Sequence, residues 1–250
     1  IDADSGEVLF ASNTDQRIIP ASLVKMMTAL VALEKADRGE VNLSAQVRIS
    51  AKASKIGGHQ VFLKAGETFE LRELLKAVMI GSANDAAYAV AEHVAGSEIE
   101  FVKAMNERAA QLGMKDTEFH NPHGLPPNKR KGQLENYTTV TDLAILGREL
   151  SKHRHVTTWA STKMDTFRNG SFQLLNTNHR FLAGFEGATG LKTGYHPRGA
   201  GFCMVGTAKR DGRRLLTVVV GARSARDRLK TATVLLDAAF KRPVAVAQSN

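Results

Sequence analysis

Gly201-Phe202-Cys203-Met204-Val205-Gly206-Thr207-Ala208-Lys209, Asp211-Gly212 and Arg214-Leu215-Leu216-Thr217-Val218-Val219-Val220 read as one hairpin. The flanking runs are apolar and rich in β-branched residues, and Asp-Gly is a favoured two-residue turn between antiparallel strands. Upstream, Asn169-Gly170 separates residues 164–168 from 171–175 and predicts a second hairpin. At the other end, Ser5-Gly6 divides residues 1–4 from 7–10, which read as two short strands. Between these ends the apolar spacing becomes helical. Leu23, Met26, Met27, Leu30, Val31 and Leu33 share a helix face, so a buried helix starts near Ser22. Leu71, Leu74, Leu75, Val78 and Met79 predict a second helix, stopped by Gly81, and a third runs from about Asn84 to Val94, stopped by Gly96. Ser97 with Glu100 has capping-box spacing and opens a fourth helix, ending before Gly113. Thr139 and Asp142 open a fifth, to about Leu150, and a last one covers about 224–240. Residues 41–70 are mixed, with strand-like Val61-Phe62-Leu63. Strands at both ends and helices between them predict an α+β fold with an antiparallel sheet.

Composition narrows the function. The chain has 250 residues, 43% of them apolar and 24% charged, which is ordinary for a globular protein. No apolar run is long enough to span a membrane. The lone Cys203 excludes a disulfide within the chain and a cysteine-based zinc site, and its apolar strand makes it a core residue. No metal and no cofactor is expected, because the histidines, among them His120, His123, His153 and His155, lack a partnering carboxylate cluster. The formal charge is +9, concentrated in Lys129-Arg130-Lys131 and in residues 210–230. Such a face suits an anionic cell wall, an anionic lipid or a carboxylate substrate, although charge alone favours a plain solvated basic face over any of these. Nucleic acid is not an expected partner, since aromatics are only 6% and none interleaves with the basic runs.

Three short motifs carry chemistry. Ser22-Leu23-Val24-Lys25 puts a hydroxyl and an amine on one helix face, three residues apart. A serine is a weak nucleophile until a base takes its proton, and a lysine whose pKa is lowered by burial can be that base. Ser82-Ala83-Asn84 lies between two predicted helices, and Lys192-Thr193-Gly194 offers a cation, a hydroxyl and a bare backbone to a carboxylate. Each alone has a bland reading: helix caps for Ser22, Ser82 and Asn84, a snorkelling surface cation for Lys25, an edge-strand guard for Lys192. Chance alone supplies roughly 0.8, 0.6 and 0.1 occurrences of the three, and all three in this order at under about 0.01. Ser-x-x-Lys with Ser-Asp-Asn and Lys-Thr-Gly is a motif set of penicillin-binding proteins and class A β-lactamases, and this chain has Ala83 at the middle position of the second motif.

The chain resembles the low-molecular-mass penicillin-binding proteins of the D-alanyl-D-alanine carboxypeptidase family, serine peptidases of the β-lactamase/transpeptidase-like superfamily. The resemblance runs almost end to end. It rests on Asp4-Ser5-Gly6, Pro20-Ala21-Ser22-Leu23-Val24-Lys25-Met26-Met27-Thr28, Phe62-Leu63-Lys64-Ala65-Gly66-Glu67, Ser82-Ala83-Asn84-Asp85-Ala86-Ala87, Asn121-Pro122-His123-Gly124-Leu125, Gly190-Leu191-Lys192-Thr193-Gly194-Tyr195 and Gly221-Ala222-Arg223-Ser224. It implies a five-stranded antiparallel sheet flanked by helices. It implies a peptidase domain over residues 1–241, with about 71–151 helical, and a tail or cut linker over 242–250. It also implies an enzyme acting outside the cytoplasm, made with a signal peptide that this chain, starting at Ile1, lacks; any membrane attachment would belong to the longer protein.

The implied reaction removes the terminal D-alanine from peptidoglycan stem peptides ending in D-Ala-D-Ala, with β-lactams as covalent inhibitors. Ser22 is the implied nucleophile and Lys25 its base. Ser82 and Asn84 line the cleft, and Lys192, Thr193 and Gly194 help hold the substrate carboxylate and backbone. The N–H groups of Ser22 and Tyr195 form the implied oxyanion hole, and Arg223 lies near the substrate carboxylate. His196, where many relatives carry Thr, reads as a solvent-facing histidine. The alternatives are a D,D-endopeptidase or transpeptidase, a class A-like β-lactamase and a non-catalytic wall-binding protein. The β-lactamase ranks low because Leu134-Glu135-Asn136 lacks the Glu-x-x-Leu-Asn order.

Overall fold

In the computed structural model, which describes residues 1–242, the chain begins against the strand it forms last. Residues 1–3 lie along residues 213–216, with a bridge between Asp2 and Leu215 and a 2.8 Å bond from Ala3 N–H to the Arg214 carbonyl. The two strands expected around Ser5-Gly6 form no ladder; a single bond from Asp2 N–H to the Glu7 carbonyl, 2.9 Å long, joins the two segments. The Asp2 carboxylate accepts the N–H groups of Asp4 and Ser5, which closes a tight loop instead.

A 3-10 turn, Ala21–Val24, runs directly into helix α1 (Lys25–Asp37), so the expected helix starts one tight turn earlier than its α-helical part. Short strands β1 (Gln46–Arg48) and β2 (Thr68–Glu70) pair antiparallel. The strand-like Val61-Phe62-Leu63 forms no strand. The Asp85 carboxylate takes the N–H groups of Val61 and Leu63, and Phe62 adopts φ +55°. Helices α2 (Leu71–Ile80), α3 (Asn84–Ala95), α4 (Glu98–Gln111) and α5 (Val140–Leu150) follow where the apolar spacing put them. Ser97 and Thr139 cap α4 and α5 by accepting the N–H groups of Glu100 and Asp142.

Helix α6 (Arg154–Ser161) and the short α7 (His179–Gly184) were not anticipated. They bracket hairpin β3 (Met164–Phe167) and β4 (Phe172–Leu175), which turns at Asn169-Gly170 as expected. Strands β5 (Ala188–His196), β6 (Gly201–Arg210) and β7 (Arg213–Ala222) form the central antiparallel sheet in that order, and α8 (Ala225–Phe240) closes the described fold. At the β6–β7 turn Asp211 (φ +48°) and Gly212 (φ +81°) take the left-handed conformations of a two-residue hairpin.

The architecture is the expected helix-flanked antiparallel α+β fold. Among the described residues, seven strands fall into sheets of two, two and three, the central one extended by the N-terminal bridge. Of the tail expected over 242–250, residues 243–250 lie outside the described residues. One face of the central sheet, with Val205 and Leu216, meets α5 at Gly147, where a Cβ would overlap both side chains. Met204, Ala208, Leu215 and Val219 on the other face pack with Phe181, Ala232 and Leu236 from α7 and α8. The main core fills the space between α1, α2, α3 and the first of these faces. Burying it on both sides leaves β5 as the sheet's edge strand beside the 3-10 turn that bears Ser22.

Candidate active site

Helix α1 buries Lys25 completely, and its Nζ lies 3.0 Å from Ser22 Oγ. A second contact fixes the amine: Nζ donates to the His123 carbonyl at 2.6 Å. The stretch containing His123 is locked onto the same turn. Thr28 Oγ1 donates to the Pro122 carbonyl at 2.6 Å, and Asn121 Oδ1 accepts the N–H of Gly124 at 2.6 Å. Gly124 has φ +79°, and a Cβ there would overlap the Ala21 carbonyl oxygen and sit 3.2 Å from Ser22 N. Asn136, whose order failed the β-lactamase pattern, is buried and accepts the N–H groups of His120 and Asn121, so it supports this stretch structurally.

Ser82 and Lys192 form a second hydroxyl–amine pair, near enough for the Lys192 charge to act on Lys25. Lys192 Nζ donates to Ser82 Oγ at 2.8 Å, and both side chains are buried. Ser82 has φ +59° and Ala21, just before Ser22, has φ +52°. Both hydroxyl-bearing turns therefore hold a residue in a conformation that costs about 1–3 kcal/mol outside glycine. Asn84 is also buried. Its Nδ2 donates to the Gly57 carbonyl at 2.8 Å, while Oδ1 has no partner among the described residues. A buried acceptor left open at a cleft is a place for a ligand donor.

Gly194 brings β5 against the nucleophile. A Cβ on it would lie 3.2 Å from both Ser22 N and the Pro20 carbonyl oxygen. Only a bare backbone lets the two chains approach this closely. Thr193 is buried beside it, and Tyr195 is exposed. Arg223 is exposed on the link between β7 and α8. Arg228, one helical turn into α8, was missed by sequence reasoning. It is partly buried, its Nη1 reaches the Cys203 carbonyl at 3.5 Å, and its buried Nε has no partner among the described residues. The signal was hidden because Arg228 sits in a run of four cations, Arg223, Arg226, Arg228 and Lys230, that looks like a solvated helix face.

The electrostatics separate the two lysines. Burial, and then the nearby Lys192 charge, hold the Lys25 amine well below the usual lysine range, against a weaker opposing pull from Asp85. Burial pushes Lys192 down to about 7, with Cys203 opposing and Arg228 reinforcing. Two buried cations this close repel, which favours the neutral form of the Lys25 amine. Cys203 is fully buried and burial pushes its thiol up to about 12, which makes it a core residue, as expected, and no nucleophile. His196 is not solvent-facing as its position suggested. It is buried, and its Nδ1 accepts the Arg198 N–H at 3.2 Å.

Burial, and then the Lys25 charge, push the His123 imidazole down to about 3. Between about pH 6.5 and about 3 only the unfolded chain takes up this proton. Stability therefore falls as pH drops through that window and is fully present above it. The loss of Tm between pH 7 and pH 5 should shrink in His123→Asn. An equal loss in both proteins would show that other groups set the acid limb.

Residues 1–224 match the D-alanyl-D-alanine carboxypeptidase family. The chain is 40% identical over 243 residues to D-alanyl-D-alanine carboxypeptidase DacF of Bacillus subtilis, covering 96% of this chain and 60% of that protein. It thus spans about 60% of the length of curated relatives that it matches. Penicillin binding protein 6B of Escherichia coli superimposes with a TM-score of 0.90 at 32% identity, over all of this chain and 79% of that one. Penicillin-binding protein D2 of Listeria monocytogenes, solved in an ampicillin-bound form, superimposes at 0.85 and 32% identity, over 96% of this chain and 94% of that one. With a match that reaches from the first residue past both lysine motifs, the chain belongs to the D-alanyl-D-alanine carboxypeptidase family.

Proposed function

We propose that the chain is a serine D,D-carboxypeptidase that removes the terminal D-alanine of peptidoglycan stem peptides through an acyl-enzyme on Ser22. Residues 1–241 are the peptidase unit, and its work is done outside the cytoplasm, where that substrate lies. The observation that carries the reading is the pair of hydroxyl–amine contacts, Ser22 with Lys25 and Ser82 with Lys192, at 3.0 and 2.8 Å. Neutral Lys25 accepts the Ser22 proton as Oγ bonds to the penultimate carbonyl carbon. The N–H groups of Ser22 and Tyr195 receive the oxyanion. When the C–N bond breaks, the leaving amine takes a proton by way of Ser82, and water then hydrolyses the ester. Asn84 Oδ1, open at the cleft, accepts the substrate amide N–H. Lys192, Thr193 and Gly194 hold the substrate's carboxylate end. Arg228 completes that anchor, because its unpartnered Nε and its position beside Cys203 suit it better than the exposed Arg223.

A strained β-lactam amide fits the same steps, with Ser22 as the acylated atom. Incubation with penicillin should add one drug mass to the intact protein, on a peptide containing Ser22, and Ser22→Ala should stay unmodified. An adduct elsewhere, or none in the parent protein, would overturn the assignment. Transfer to an amine instead of water needs only a different acceptor, so D-alanine release and cross-linked product should both be assayed.

A further inference from the structure

We propose that Asn176 is a positioning residue for the Ser82–Lys192 pair, a brace that fixes the turn bearing Ser82 against the strand bearing Lys192. This rests on the function proposed above, in which Ser82 returns the proton to the leaving amine. The 2.8 Å contact between Lys192 Nζ and Ser82 Oγ joins residues 110 positions apart, on separate elements. Ser82 follows α2 in a left-handed conformation, and Lys192 lies in the middle of β5. A hydroxyl and an amine keep a working distance only when the backbone on both sides is held.

Asn176, between β4 and α7, is 1% exposed and engages both its amide groups and its own backbone. Its Nδ2 donates to the carbonyls of Ala160 and Thr162, at 3.1 and 2.8 Å, where α6 ends. Its Oδ1 accepts the Asn178 N–H at 2.8 Å, which closes an Asx turn over Thr177. Its backbone N–H donates to the Lys163 carbonyl at 3.0 Å, and its carbonyl accepts the His179 N–H at 2.9 Å. Two arms run from this hub to the pair. On one, Thr177 N–H donates to the Ile80 carbonyl at 3.2 Å, at the end of α2 and two residues before Ser82. On the other, Ala160 packs on β5 at Gly190, where an added Cβ would overlap the Ala160 Cβ and carbonyl. Gly190 is two residues before Lys192 in unbroken register, so both lie on the same face of β5. Asn178 is also buried, yet neither of its amide atoms has a partner among the described residues. The link between the two arms therefore runs through the Asn176 side chain.

The test is a double-mutant cycle read on acylation by penicillin. Asn176→Ala should lower the acylation rate at saturating penicillin by about tenfold, because proton transfer through Ser82 responds to displacements of well under about 1 Å. The half-saturating concentration should rise by less than about threefold, since Thr193 and Arg228 also hold the ligand's carboxylate. In a Ser82→Ala background the same substitution should cost less than about twofold, because the group it positions is gone. Asn176→Asp keeps the volume and the Oδ1 acceptor without the two donors, and it carries the cycle if Asn176→Ala does not fold. An equal loss in both backgrounds, a loss confined to the half-saturating concentration, or acylation of these variants at the parent rate would overturn the brace and leave the carboxypeptidase intact. A parent protein that forms no penicillin adduct and releases no D-alanine would overturn the underlying function and the brace's role with it.

Discussion

Replacing Lys25 by Met lowers the rate of acylation by penicillin about a thousandfold and leaves the protein folded. The size follows from the loss of a positioned base, whose contribution is typically about 10²–10⁴-fold. The persistence of the fold follows from burial. Lys25 is 0% exposed, and a thioether of similar length fills its channel without a charge to desolvate. The cost is the hydrogen bond to the His123 carbonyl, about 1–3 kcal/mol for an acceptor left unsatisfied, and Tm should fall by a few degrees. Lys25→Arg separates charge from basicity. A guanidinium stays protonated, so it also fails as a base, and it places a permanent cation beside Lys192. Its Tm should fall further than that of Lys25→Met. Stopped-flow acylation and thermal unfolding read the two effects separately. Acylation of Lys25→Met within about tenfold of the parent rate would remove Lys25 from its role.

Gly124→Ala has the second largest expected effect, and it acts without touching a reacting atom. A Cβ at Gly124 overlaps the Ala21 carbonyl, and φ is +79°. Backbone cannot yield as a flexible side chain can, so either residues 121–125 or the turn Ala21–Val24 must shift. Both shifts reach the chemistry, because one carries the carbonyl that orients Lys25 and the other carries Ser22 and its N–H. A displacement near 1 Å costs about a hundredfold in rate, and the strain about 2–4 kcal/mol in stability. Gly39→Ala is the control. Its φ is +75° but nothing lies within 4 Å of the added Cβ. It should lose about 1–2 kcal/mol for the backbone conformation alone and keep its acylation rate. Denaturant midpoints and acylation rates measure both. If Gly39→Ala and Gly124→Ala lose equal activity, the close approach is not what positions the nucleophile.

Legibility followed the range of the interactions. Gly81, Gly96, Ser97 and Thr139 bound helices where they were expected to, because a cap or a left-handed residue acts within four positions of itself. Both hairpins were readable from Asn169-Gly170 and Asp211-Gly212 for the same reason. Helix α6 was not, since its one buried stripe is Val156, Trp159 and Ala160 amid polar residues. Val61-Phe62-Leu63 looked like a strand because nothing nearby shows that Asp85, more than twenty residues on, takes its N–H groups.

The order of residues was enough to determine the kinds of elements, their caps and turns, and the three motifs that carry hydroxyls and amines. Each of those is a local property of the chain. Only the tertiary structure decided that Lys25 and Lys192 are wholly buried and brought to separate hydroxyls, that the His123 carbonyl holds one of them, and that Arg228 is partly buried beside Cys203 while Arg223 is exposed. The reason is physical. An amine becomes a base through the water it loses and the charges it meets, and both are supplied by segments about 60 to 170 residues away along the chain.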